Sequence, residues 1–96
     1  MKSGLYSIYD IKAEFYSKPF VAQNDEVAIR VIQNSFKDPQ ASQSEYVMNP
    51  ADFQLARLAI FDDSEGSIEP DQKPILDLIT LVTADLKEVK AAKLGE

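Results

Sequence analysis

The first twenty residues hold five of the nine aromatic side chains: Tyr6, Tyr9, Phe15, Tyr16 and Phe20, with Lys2, Lys12 and Lys18 interleaved among them. That mixture is a compositional signature of single-stranded nucleic-acid binding, in which aromatic faces stack on bases for roughly 1–3 kcal/mol each and ammonium groups meet phosphates. The candidate binding set is Tyr6, Tyr9, Lys12, Tyr16, Lys18 and Phe20, with Arg30 as a further cation. The competing reading is structural, because aromatics in a strand also serve as core and cross-strand packing.

A second group is acidic: Asp62, Asp63, Glu65 and Glu69. Carboxylates are the hard oxygen ligands that calcium and magnesium take, but the spacing lacks the alternating ligands, sixth-position glycine and twelfth-position glutamate of an EF-hand. Asp62-Asp63-Ser64-Glu65-Gly66 reads better as a solvated hairpin loop with glycine in a left-handed position. As a catalytic pair, two of these carboxylates would need burial or a charged neighbour to separate their pKa values, and the sequence shows no such pocket. With no Cys and no His, the chain has no disulfide, thiol nucleophile or imidazole base, and none of the usual nitrogen or sulfur zinc ligands. The expectation is a protein that binds or assembles, with no enzymatic activity and no cofactor.

The elements that must position these residues fit one domain over 1–96, with an α+β core over 1–73 and a helix over 74–96. Leu5 to Lys12 is rich in aromatic and β-branched residues and predicts a strand, followed by a loop over Ala13 to Gln23. Asn24 is an N-cap candidate, and the stripe Val27, Ala28, Val31, Ile32 and Phe36 predicts a helix that ends before Pro39. Gln40 to Glu45 predicts an exposed connection. Asn49 to Asp52 predicts one helical turn; Phe53 to Phe61 has mild helical propensity through Leu55 to Ala59, but the hairpin loop after it favours a strand over a helix, with Ser67 to Glu69 a short return strand closed by Pro70. From Pro74, the spacing of Ile75, Leu78, Ile79, Val82, Leu86 and Val89 predicts a long amphipathic helix to Lys93, read either as a homodimer or partner-binding surface or as a cover lying over the sheet, with its length favouring self-association. The predicted fold is therefore α+β: a small antiparallel sheet in the order β-α-β-β-α, one packed helix and a long C-terminal helix.

Net charge is -6, and its placement is uneven: residues 1–37 carry +1, residues 38–85 carry -8, and the last eleven carry +1. An acidic field repels phosphate, so DNA contact is confined to a local patch. The acidic middle and the C-terminal helix together offer an alternative role, engaging a replication or capsid protein without touching DNA. No apolar run approaches the roughly 20 residues that span a bilayer, and no signal-peptide apolar region is present, which sets the expected location as cytoplasmic.

The order of local signatures resembles one family. Tyr6-Ser7-Ile8-Tyr9-Asp10 and Lys12-Ala13 are followed by Tyr16, Pro19-Phe20-Val21-Ala22, Asn24-Asp25 and Ala28-Ile29-Arg30. Asp38-Pro39, Asn49-Pro50-Ala51-Asp52-Phe53-Gln54-Leu55, Phe61-Asp62-Asp63, Gly66 and Pro70 come next. In order and spacing, over about residues 5–74, this is similar to the small nonstructural protein of gokushovirus-type microviruses, which are single-stranded DNA phages. The resemblance implies a protein of the host cytoplasm, absent from the mature virion, tied to DNA binding or to viral DNA synthesis and packaging. It brings no catalytic motif and no residue-level site.

Overall fold

A computed structural model describes residues 1–82. Its elements are β1 (Lys2–Asp10), β2 (Phe15–Tyr16), β3 (Phe20–Ala22), α1 (Asp25–Lys37), α2 (Glu45–Met48), β4 (Phe53–Asp62) and β5 (Ser67–Asp77). Short 3-10 turns occupy Pro39–Ala41 and Pro50–Asp52, and residues 78–82 are helical. The strands form one antiparallel sheet in the order β2-β1-β4-β5, with β3 also paired to β1. Since β4 takes the other side of β1, β2 and β3 share an edge in succession: Tyr9 faces Tyr16, and further along Tyr6 faces Phe20.

Ser17 closes the gap between those two short strands. Its amide donates to the Ile8 carbonyl at 2.9 Å, its hydroxyl accepts from the Ile8 amide at 3.1 Å, and its carbonyl accepts from the fully buried Ser7 hydroxyl at 2.7 Å. Backbone groups of β1 that a continuous strand would satisfy are thus paired through a serine, while Lys18 and Pro19 lie exposed between the two short strands. At the other end of the sheet, β4 and β5 are joined by the Asp62–Gly66 turn. Gly66 lies at φ 66°, its amide reaches the Asp62 carbonyl at 2.8 Å, and the Asp62 carboxylate caps the Ser64 amide at 2.9 Å.

Directly paired residues of an antiparallel sheet project to the same face, so register assigns the core. Tyr6, Ile8 and Ala22 share a face with Phe53, Leu55 and Arg57, and the apolar members of that set cluster with Ala28 and Ile32 of α1 and with Leu78 and Leu81. Helix α1 starts where the sequence predicts: the Asn24 side chain accepts from the Val27 amide at 2.9 Å, and Asp25 and Glu26 occupy the first turn, favourable for the positive end of the helix dipole.

Several expectations are corrected. The β-α-β-β-α order becomes three strands, two helices and two strands before residues 78–82, and the segment Ala13–Gln23 contains β2 and β3 where a loop was expected. Strands of two and three residues are too short to show a period in the sequence. The return strand does not stop at Pro70 but runs to Asp77, so Pro74 to Asp77 are extended and not helical. Pairing with β4 overrides the helical spacing of the apolar residues there. Leu76 faces Leu55, Pro74 faces Ala56, and Ile75 is the extra residue of a bulge between them. Pro70 and Pro74 are tolerated because β5 is an edge strand. The expected long C-terminal helix is absent among the described residues: α1, of 13 residues, is their one long helix, and the predicted positions Leu86 and Val89 lie outside them. The turn at Pro50–Asp52 followed by a strand from Phe53, and the Asp62–Gly66 hairpin, are as the sequence predicts.

Candidate nucleic-acid interface

The sheet's second face is built from the alternate residues of the same strands. Register sorts them into four cross-strand rows: Tyr16, Tyr9, Gln54 and Asp77; Ser7, Ala56 and Pro74; Val21, Leu5, Ala59 and Pro70; Ser3, Phe61 and Ile68. The helical residues of the core, Ala28, Ile32, Leu78 and Leu81, all cluster on the opposite face. On this open face Tyr16, Val21 and Ile68 are 45%, 58% and 61% exposed. Asp77 is the one charged side chain in the four rows, and it sits at a corner where the Gln54 amide donates to it at 3.0 Å.

Small residues shape the middle of this face. Ser7, Ala56 and Ala59 are buried between larger neighbours. Beside them lies a recess of about 300 Å³, lined by Tyr9, Tyr16, Gln54, Ala56, Arg57, Gln72, Lys73 and Pro74. The Tyr9 and Tyr16 rings stand with centroids 4.6 Å apart and planes tilted by 42°. This end of the face is aromatic and amide-rich, whereas the far end, with Leu5, Val21, Phe61 and Ile68, is aliphatic apart from Phe61. A trough with a standing aromatic pair can take a flat π-system by stacking and hold its polar edge with side-chain amides, and Lys73 and Arg57 add cationic groups at its border.

The predicted binding residues divide between the two faces. Tyr9 and Tyr16 are brought together on the open one. Tyr6 and Phe20 lie under α1, their rings 6.0 Å apart, and Tyr6 is only 1% exposed, so no base can reach it. Lys18 is exposed between β2 and β3, Lys12 sits in the β1–β2 turn paired with Asp52 at 3.4 Å, and Arg30 is exposed on α1. In the predicted oligomerisation set, Leu78 is fully buried in the chain's own core, and Ile75 packs against that core. Ile79 is 40% exposed and Val82 is half-buried. Gln54, Gln72 and Pro74 were not anticipated. Nothing in the local sequence marks them, because their place beside Tyr9 depends on the registers of β1, β4 and β5.

Beneath the covered face, Tyr6 anchors a polar network. Its hydroxyl donates to Asp25 at 2.6 Å, Arg57 meets both Asp25 oxygens at 3.0 and 3.2 Å, and the same guanidinium reaches Asp71 of β5 at 3.2 Å. Burial, and then the bond to Asp25, push the Tyr6 phenol up to about 12. The Tyr6 hydroxyl, followed by the Arg57 charge, holds the Asp25 carboxyl below its usual range. Gly4 makes room for this arrangement: a Cβ there would clash with the outer atoms of the Tyr6 ring. The network lines an open recess of about 510 Å³ beside the first turn of α1, where Asp25 and Glu26 disfavour an anion.

The family model of the phage ORF5 protein matches residues 3–85, which covers the described strands and helices except the first residue of β1. The chain belongs to the phage ORF5 protein family. That description names a phage origin and no activity, so the chemistry of this ORF5 family member rests on its own geometry. No curated protein and no solved structure matches it.

Proposed function

We propose that this ORF5 family member is a nonstructural accessory protein that binds single-stranded DNA on the open face of its sheet and assists viral DNA synthesis or packaging in the host cytoplasm. Tyr9 and Tyr16 form the stacking platform, Gln54 and Gln72 face base edges, and Lys18 meets the backbone at the rim. Tyr6, Phe20 and Arg30 have no part in this reading. The observation that carries it is the pairing of exposed Tyr16 with half-buried Tyr9, 4.6 Å between ring centroids, on the open face of the sheet.

The charge balance sets the character of such binding. With a net charge of -6, the chain gains little from phosphate neutralisation, and stacking supplies most of the affinity. One or two lysine contacts to a single strand give a shallow salt response, a loss of about three- to sevenfold between about 50 and 200 mM.

The test is fluorescence anisotropy of a labelled oligothymidylate titrated with the protein at those two salt concentrations, with a duplex control. Saturable binding that prefers the single strand is expected, weakened about five- to a hundredfold by Tyr9→Ala or Tyr16→Ala. Unchanged affinity in both variants, with the fold intact by circular dichroism, would remove this site. Absence of binding at both salts would remove direct DNA contact altogether.

A further inference from the structure

At the end of the covered face remote from the first turn of α1, the sheet meets α2 in a recess of about 230 Å³ lined by Ile8, Asp10, Phe15, Ser17, Glu45, Tyr46 and Phe53. An adjoining recess of about 200 Å³ shares Asp10, Glu45 and Phe53 and adds Lys12, Asn49 and Asp52. Together they make one cleft with an apolar, aromatic floor and a carboxylate rim. Phe15 is 57% exposed at its mouth, and Tyr46 is held edge-on against Phe36, with ring centroids 6.3 Å apart. Lys12, the one cation of the rim, is paired with Asp52 at 3.4 Å, so Asp10 and Glu45 leave the cleft net negative.

This chemistry selects its occupant by charge. Phosphate is repelled, which excludes DNA and anionic membrane surfaces. A second copy, itself at -6, is a poor match for a negative cleft. A cationic side chain fits on two counts: its aliphatic stem lies against rings, and its head reaches carboxylates at the rim. We propose that this cleft docks a basic peptide segment of a partner protein, with an arginine or lysine entering beside Phe15 and Tyr46 towards Asp10 and Glu45. The site lies on the other face from the tyrosine platform and does not depend on DNA binding there.

The experiment is a titration of the whole protein into a fluorescein-labelled hexapeptide of alternating arginine and leucine, with a counterpart in which glutamate replaces arginine. Saturable binding of the arginine peptide alone is expected. Phe15→Ser and Glu45→Lys, both at exposed positions, each weaken it by about tenfold. Glu65→Lys, in the exposed β4–β5 turn, makes the same change in net charge as Glu45→Lys and leaves affinity within about twofold, as does Tyr16→Ala. Equal weakening by Glu65→Lys and Glu45→Lys would reduce the effect to overall charge and overturn the site, and so would an oligothymidylate that displaces the peptide or a titration that fails to saturate.

Discussion

The two faces of this sheet are made by the same strands and do opposite things with the same residue type. Tyr6 and Tyr9 are three residues apart on β1, yet Tyr6 is sealed at 1% exposure beneath α1 and Tyr9 stands beside Tyr16 on the open side. The covered face spends its aromatic and aliphatic side chains on burial and ties its one polar cluster, Tyr6 with Asp25, Arg57 and Asp71, across four elements. The open face keeps rings and aliphatic groups in water with almost no charge between them. A folded chain pays to leave such surface exposed unless something else covers it, so the difference separates residues selected by stability from residues available for contact.

The largest effect that would test this division is truncation on the covered face. Leu55→Ala, at a fully buried position, is expected to cost about 2–5 kcal/mol in urea unfolding, while Tyr16→Ala on the open face costs less than about 1 kcal/mol. Similar costs for the two would erase the distinction. Next comes Gly4→Ala, which thrusts a methyl group into the Tyr6 ring and is expected to cost about 1–3 kcal/mol, because α1 and Asp25 hold the ring in place.

The Tyr6 phenol then gives a pH signature. Its folded pKa, raised to about 12, lies above its unfolded value near 10. The stability it contributes is therefore complete below about pH 10 and is lost as pH rises towards 12, on the order of 2 kcal/mol in all. Thermal melts at pH 9 and 11 should show the wild type falling further than Tyr6→Phe, and parallel falls would separate the phenol from alkaline sensitivity. The smallest expected effect lies in the β1–β2 turn, where Glu14 holds φ at 60°. Glu14→Gly relieves that left-handed backbone and should raise the unfolding midpoint slightly, by less than about 1 kcal/mol in stability, with no change on either face.

What the sequence shows depends on whether a signal is local. The N-cap at Asn24, the stripe of α1 and the Asp62–Gly66 turn are each written within a few neighbouring residues, and each is legible. The aromatic density of the first twenty residues is legible too, but its division between faces is not. Gln54 beside Tyr9 depends on a pairing 45 residues apart in the chain. The extended form of Pro74 to Asp77 is another long-range outcome: Ile75 shows helical spacing with Leu78 and Ile79, and only the partner strand β4 makes it the extra residue of a bulge. The carboxylate cleft gathers Asp10, Glu45 and Asp52 from three separate elements, so linear charge counts register its acidity without its location.

The prolines of the outer strands have a consequence for assembly. β5 forms one border of the sheet and carries Pro70 and Pro74; the other border is broken between β2 and β3 at Pro19. Each proline removes a hydrogen-bond donor from a row that a foreign strand would need, so the sheet resists extension sideways into a ribbon shared between molecules. Growth by edge pairing, the route to fibrils, is disfavoured at both margins. An apolar sheet face can thereby stay uncovered without the margins of the sheet inviting a further strand.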